Sequence, residues 1–369
     1  MTESMLRMTK WYNGLQERII NTPSYEQLSF LFPDKIEDVL NARAICGQHT
    51  NAVNSIFRNL SGQAEKEVVS IINSYNREDH QVSDKILCAG KVVESRAESL
   101  DQLGHTTLPK LSAKKVQDML DYFETAGCYA GSFDPDHQGK KLFTANELRA
   151  QKENTARYPT KAVALCPHLM RIASDPVIIS ILARHLGSMP IILDYSCWWS
   201  FAQEEQDSQH AQLFHFDLAD YRFCLMNIYL TDVGMDGGPH TIFDATHEMD
   251  QLAEIRNEFN GDKAEWDEWY FTKLRKTDEE MDYYFGGRKA TSLTGEKGST
   301  LLVNTRGIHK GMLPTGSDRL LVQVAYGVSP MVQTNFMEPV KIGSPEASHI
   351  PASMAETPFD HINWFFATK

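Results

Sequence analysis

The stretch Gln212-Leu213-Phe214-His215-Phe216-Asp217 decides how this chain is read. Residues i and i+2 of a β-strand project to the same side. His215 and Asp217 can therefore reach one point from one strand end, with Phe216 facing away. The stretch is answered by His309, in Asn304-Thr305-Arg306-Gly307-Ile308-His309-Lys310-Gly311, and then by Arg319, in Ser317-Asp318-Arg319-Leu320-Leu321-Val322. Two histidines and one carboxylate are the protein ligands of a non-haem Fe(II) centre. They occupy one face of an octahedron and leave three positions for a co-substrate, O2 and water. An arginine beyond the second histidine is placed to hold the far carboxylate of a 2-oxo acid.

The surroundings fit such a centre. Residues 299–305 (STLLVNT) read as a strand running into His309, and residues 319–328 (RLLVQVAYGV) as another. The intervening KGMLPTGSD has the Gly, Pro and Asp of a turn. A hairpin there would set Arg319 beside the strand that delivers His309. A lone His-x-Asp is weak evidence: with 13 histidines, about one such triplet arises by chance. The joint pattern of triplet, distal histidine after a second strand and arginine opening a third is far more specific.

Residues 221–230 (YRFCLMNIYL) read as the strand after the triplet, with Asn227 and Tyr229 on one face. A buried Asn needs partners. A metal-bound 2-oxo acid would supply them, and so would the sheet itself. Arg306 is the rival to Arg319 as co-substrate anchor. His240 and His247 are rival ligands, ranked below the triad because neither has its spacing.

These residues resemble the phytanoyl-CoA dioxygenase-like family of Fe(II)/2-oxoglutarate oxygenases. The likeness covers residues 106–328 and is tightest at 212–239 and 299–326. Residues 111–131 are similar to the helix and first strand that open the family's domain. The resemblance implies a double-stranded β-helix, or jelly roll, with His215, Asp217 and His309 as metal ligands and Arg319 as co-substrate anchor. It implies a dioxygenase that uses Fe(II), 2-oxoglutarate and O2 and releases succinate. Hydroxylation of a small-molecule metabolite is the expected oxidation, since Asp217 occupies the position that halogenating relatives leave open. Desaturation, epimerisation and cyclisation use the same iron, and a non-catalytic jelly-roll binding protein would keep the fold but break the triad. Where the family often carries Pro-Gly-Ser-His, this chain has Asp244-Ala245-Thr246-His247.

The expected fold class is mainly β with helical additions: a helical N-terminal extension over 1–105, then a double-stranded β-helix domain over 106–369. Leu15, Ile19 and Ile20, then Leu28, Leu31 and Phe32, have helical spacing, and 52–74 reads as one or two amphipathic helices. The extension reads as a buttress or a homodimerisation element. Ser112 opens a helix that ends at Gly127, and Ser174-Asp175-Pro176 caps one that stops at Gly187. Residues 190–201 read as a strand, with Trp198 and Trp199 on opposite faces. Residues 248–297 are acidic, aromatic and helical in pattern, inserted between barrel strands as a lid or as plain cladding.

Composition sets the remaining bounds. The 369 residues carry a net charge of −13 with 42% hydrophobic and 23% charged residues, the profile of a soluble globular protein. No Lys/Arg run offers a nucleic-acid footprint. Six cysteines without a C-x-x-C pair read as reduced thiols of a cytoplasmic protein. The N-terminus has no signal-type apolar segment, and the most apolar stretch, 176–193, is interrupted by Arg184, His185 and Gly187, so no membrane span is expected. The expected partner is a small-molecule substrate.

Overall fold

The computed structural model describes residues 3–22, 42–131, 140–203, 208, 210–330, 339–356 and 359–369. Helices and antiparallel sheet are mixed, and helical residues outnumber strand residues. That corrects the expectation of a mainly β chain: the N-terminal region and the insertion bring more helix than the sheets bring strand.

The N-terminal region is helical as expected: α1 (Glu3–Ile20), α2 (Ala42–Arg58), α3 (Gly62–Glu78) and α4 (Lys91–Leu103). The apolar stretch 52–74 spans two helices, broken at Leu60, whose φ of 49° no helix tolerates. Leu28, Leu31 and Phe32 lie outside the described residues. The first three helices share a core of Trp11, Leu15, Ile56, Phe57, Val68 and Ile72, and Trp11 donates to Asn76 at 2.8 Å.

The sheet begins at β1 (His105–Leu108). After α5 (Ala113–Thr125) come β2 (Tyr129–Ala130) and β3 (Thr155–Arg157). Helix α6 (Pro176–Leu186) starts where Asp175 accepts from the Val177 amide and stops at Gly187, whose φ of 77° suits glycine. Four long or central strands follow: β4 (Ile191–Ser200), β5 (Phe223–Tyr229), β8 (Thr300–Val303) and β10 (Arg319–Gly327). Together they form a seven-stranded sheet in the order β1-β8-β5-β10-β4-β3-β2. A second sheet is built from β6 (His240–Ile242), β7 (Thr291–Leu293) and β9 (His309–Gly311), in the order β7-β6-β9.

Strand alternation gives the large sheet two unlike faces. Tyr195, Cys197, Met226, Ile228, Leu320, Val322, Val324 and Tyr326 are buried on the face covered by helices. Tyr229, Leu301, Val303 and Leu321 look the other way and pack on Ile242 and Leu293 of the small sheet. On this inner face Asp194, Ser196, Trp198, Gln323 and Ala325 are only half-buried. Half-exposed residues between two facing sheets mark an open cavity rather than a filled core.

The insertion forms α7 (Met249–Glu258), α8 (Lys263–Thr272) and α9 (Asp278–Tyr284), then strand β7. The helical pattern hid that strand, because three residues are too short to show alternation. The aromatic cluster does not overhang the cavity. Trp266, Tyr270 and Phe285 are fully buried, and Tyr270 stacks on Phe216, the residue that faces away between His215 and Asp217. It is core behind the metal-ligand strand.

Candidate metal centre

His215 and His309 exchange backbone hydrogen bonds of 2.9 and 2.8 Å, which extends the small sheet by one bridge. Asp217 is fixed two residues on, where its amide donates to the Thr305 carbonyl at 2.9 Å. This is the i, i+2 geometry expected from sequence. The ligand atoms of His215, Asp217 and His309 all lie within 4.8 Å of one another.

The hydrogen bonds set the tautomers. Nδ1 of His215 lies 2.9 Å from the Leu213 carbonyl, and Nδ1 of His309 lies 2.9 Å from the Gly307 carbonyl. A carbonyl only accepts, so each Nδ1 donates and each Nε2 is the ring atom turned to the centre. Burial and then the neighbouring His309 push His215 down to about 3, which keeps it neutral. The Nε2 atoms lie 3.9 and 3.5 Å from the Asp217 carboxylate oxygens. The Nε2 atoms and the carboxylate thus converge on a common point. A divalent cation is the group that such a donor set fits.

Arg319 lies at the far end of the cavity, and it gets there by a route other than a hairpin. β9 pairs with β6 in the small sheet, whereas β10 pairs with β4 and β5 in the large one. The chain crosses between sheets, and Arg319 reaches back across the gap. A Cβ on Gly311 would stand 3.5 Å from its Nη2. Its guanidinium donates to the Gly238 carbonyl and, at 3.2 Å, to Ser200 Oγ. Gly238 has a φ of +69° and its position admits no Cβ, which would strike the Met312 carbonyl. Nε of Arg319 is buried without a partner, and no carboxylate pairs with it among the described residues. Burial depresses its pKa from the ordinary value, with Tyr229 partly opposing. A buried cation without a counter-ion is costly, and an anionic ligand removes the cost.

The other candidates divide. Asn227 is fully buried, and its Oδ1 accepts from Gln323 Nε2 at 3.0 Å while its Nδ2 has no partner. Tyr229 spends its hydroxyl on structure, donating to the Leu293 carbonyl at 2.8 Å and accepting from the His240 amide at 3.1 Å. Only its ring is left for the cavity. Arg306 does not join Arg319. Its guanidinium is engaged by Glu65 of α3, the His247 carbonyl and the Tyr221 carbonyl. It ties the N-terminal helices to the sheets.

His240 stands beside the donor set without belonging to it. Its ring stacks on His309 at 5.0 Å, burial holds it neutral, and its Nε2 is buried without a partner. The register pairing of β6 with β9, which no local pattern shows, puts it there. His247 sits apart, beside His185. Ala245, in Asp244-Ala245-Thr246-His247, takes a φ of 63°, a left-handed conformation uncommon for a residue with a Cβ.

No family model matches the chain, and no curated protein does. Among solved structures the fold is similar to the non-haem α-ketoglutarate-dependent epimerase SnoN from nogalamycin biosynthesis, with 15% identity over 64% of this chain and 82% of that one, at a TM-score of 0.40. It is similar to HygX from Streptomyces hygroscopicus with nickel and 2-oxoglutarate bound, with 16% identity over 69% and 91%, at 0.40. EctD from S. alaskensis, with 2-oxoglutarate and 5-hydroxyectoine, gives 15% identity over 63% and 75%, at 0.42. Overlap this loose carries no functional weight, and the site's own geometry is what the reading below rests on.

Proposed function

We propose that this chain is an Fe(II)/2-oxoglutarate-dependent dioxygenase, an oxidoreductase of the phytanoyl-CoA dioxygenase-like family that hydroxylates a small-molecule metabolite. The single observation that carries this is the pairing of a converging His215/Asp217/His309 donor set with a buried Arg319 that lacks a counter-ion among the described residues. The two sheets are then the halves of a double-stranded β-helix spanning 106–369, with the N-terminal helices as a buttress. The unpaired state of Cys88, Cys128, Cys166, Cys197 and Cys224 favours a reducing, cytoplasmic setting.

Fe(II) with 2-oxoglutarate and O2 would supply the oxidation of an unactivated C–H bond, with succinate and CO2 as by-products. The chain's own residues bind, orient and exclude water. His215, Asp217 and His309 would hold the metal ion. Arg319 would hold the distal carboxylate of the 2-oxo acid, which would accept from the Nε–H now without a partner. Asn227 Nδ2 and His240 Nε2 line the path between them as polar contacts. Leu301, Val303, Leu321 and Ile242 wall the cavity with apolar surface, which strengthens every polar contact inside it.

Anaerobic addition of Fe(II) and 2-oxoglutarate tests the reading through the weak visible charge-transfer band of the chelate. Absence of the band, with metal binding shown to be intact, would overturn it. Substrate-dependent succinate release across a metabolite library then separates hydroxylation from desaturation, epimerisation or cyclisation.

A further inference from the structure

The inner face of the large sheet holds a pair of charges that the metal centre does not use. Paired residues of adjacent antiparallel strands share a face. Arg157 pairs with Trp198, which pairs with Leu321, which pairs with Tyr229. Asp194 pairs with Ala325, Ala325 with Leu225, and Leu225 with Val303. Arg157 and Asp194 therefore face the cavity. Val303 is two residues before Thr305, the acceptor of the Asp217 amide. Asp194 thus stands in the row of the sheet that leads to Asp217, and Ser200, the strand partner of Arg319, lies six residues further along the same strand.

Both side chains look under-used. The Arg157 guanidinium lies 4.5 Å over the Trp198 ring. No hydrogen bond or ion pair engages it among the described residues. It is half-buried on a face where charges are otherwise scarce. Asp194 accepts from Ser196 on the same strand. Arg157 and Asp194 attract each other electrostatically without forming an ion pair, and burial raises the Asp194 pKa against that attraction. A guanidinium that rests over an indole keeps its N–H donors free for the planar, bidentate pairing that carboxylates and phosphates offer.

We propose that Arg157 and Asp194 form the substrate subsite: Arg157 takes an oxyanion of the substrate, and Asp194 takes a hydroxyl or ammonium of the same molecule. The deduction rests on the oxygenase reading for the word substrate, while the anion site stands on its own geometry. The substrate is then a small polar acid. Asp194 lies three strands from Val303, about 14 Å at about 4.8 Å per strand. Its anionic group and its reacting carbon therefore sit at different ends of the molecule. Trp198 supplies the flat apolar surface between them.

The test uses the whole protein with Mn(II) and saturating 2-oxoglutarate under nitrogen, so that Arg319 is already occupied. Melting temperature is followed against sodium acetate and sodium phosphate, with sodium chloride at matched ionic strength as control. Wild type should be stabilised beyond the chloride control by one of the two anions, and which one distinguishes a carboxylate from a phosphate. Arg157→Gln should raise the midpoint concentration about tenfold or more, and Arg157→Lys should restore part of it. Asp194→Asn should lower the midpoint, because it removes a negative charge beside the anion. No response in wild type, or an equal response in Arg157→Gln, overturns the proposal. If Arg157→Gln does not fold, a midpoint in Asp194→Asn equal to or above that of wild type overturns it. The visible Fe(II)/2-oxoglutarate band is recorded on the same proteins. A missing band with an intact anion response removes the oxygenase reading alone, and a normal band without an anion response removes the subsite alone.

Discussion

Glu65 and Arg306, 241 residues apart in sequence, form an ion pair in which neither side chain is more than 5% exposed. Glu65 also accepts from Arg222 Nε at 3.1 Å. One carboxylate on α3 thus neutralises two arginines on the sheet side of the joint. Burial alone would push the Glu65 carboxyl up, but Arg306 and Arg222 outweigh it and hold the carboxyl below its ordinary value. The joint matters to function because Arg306 stands three residues before His309.

Glu65→Gln should therefore destabilise the protein by about 3–5 kcal/mol near neutral pH, because it strands buried charge. The sign with pH follows from the lowered carboxyl. Its contribution is complete above the unfolded value of about 4.3 and fades as pH falls through the folded value. Denaturant melts of wild type and variant at several pH values measure this. Their gap should narrow on acidification, and a gap that stays constant would assign the loss to packing.

The same pair shows where sequence reading stops. His215, Asp217 and His309 were legible because strand alternation and a glycine-bearing turn are local. Arg319 was legible because it opens an apolar strand. Arg306 looked equally suited to a carboxylate, since nothing near it in sequence shows that Glu65 already occupies it. The place of His240 beside His309 is hidden for a related reason: it depends on the pairing of β6 with β9. The expected hairpin before Arg319 fails similarly, because turn residues look the same whether the next strand returns to its neighbour or crosses to another sheet.

The metal ligands give a prediction that does not depend on turnover. A cation that binds only the folded chain raises the melting temperature with its concentration. Wild type should show this with Mn(II), and Asp217→Ala, His215→Ala and His309→Ala should each lose it along with the visible Fe(II)/2-oxoglutarate band. Far-ultraviolet circular dichroism should be unchanged, since Asp217 is 41% exposed and contributes little to the core. An Asp217→Ala protein that releases succinate normally would remove the triad assignment.

Arg319→Leu should raise the 2-oxoglutarate concentration needed for half-formation of the band by about ten- to a hundredfold. That is the effect of losing a charge-assisted contact worth roughly 1.5–3 kcal/mol. Arg306→Gln is the control. It should lower stability and leave the 2-oxoglutarate requirement nearly unchanged, because its guanidinium is committed to Glu65. A larger 2-oxoglutarate effect from Arg306→Gln than from Arg319→Leu would transfer the anchor role.

Lys276 gives the last prediction. It is fully buried, and its backbone pairs with Phe214 beside the first metal ligand. Its Nζ donates to the Lys273 carbonyl at 2.6 Å. The rings of Phe216, Trp269 and Tyr270 surround it at 5.2, 5.3 and 5.2 Å. Three aromatic faces replace part of its lost hydration, but burial still pushes it down to about 8. The unfolded chain holds this proton up to about 10.4. Between those values the unfolded state binds more protons than the folded one, so stability from this group rises with pH. Lys276→Met keeps the volume and removes the charge. Relative to that variant, wild type should gain stability as pH rises from about 8 to about 10 and show no change between pH 6 and 7. Denaturant melts of the two proteins across this range decide it. A difference that stays flat through the whole range would mean that the aromatic cage compensates the charge in full.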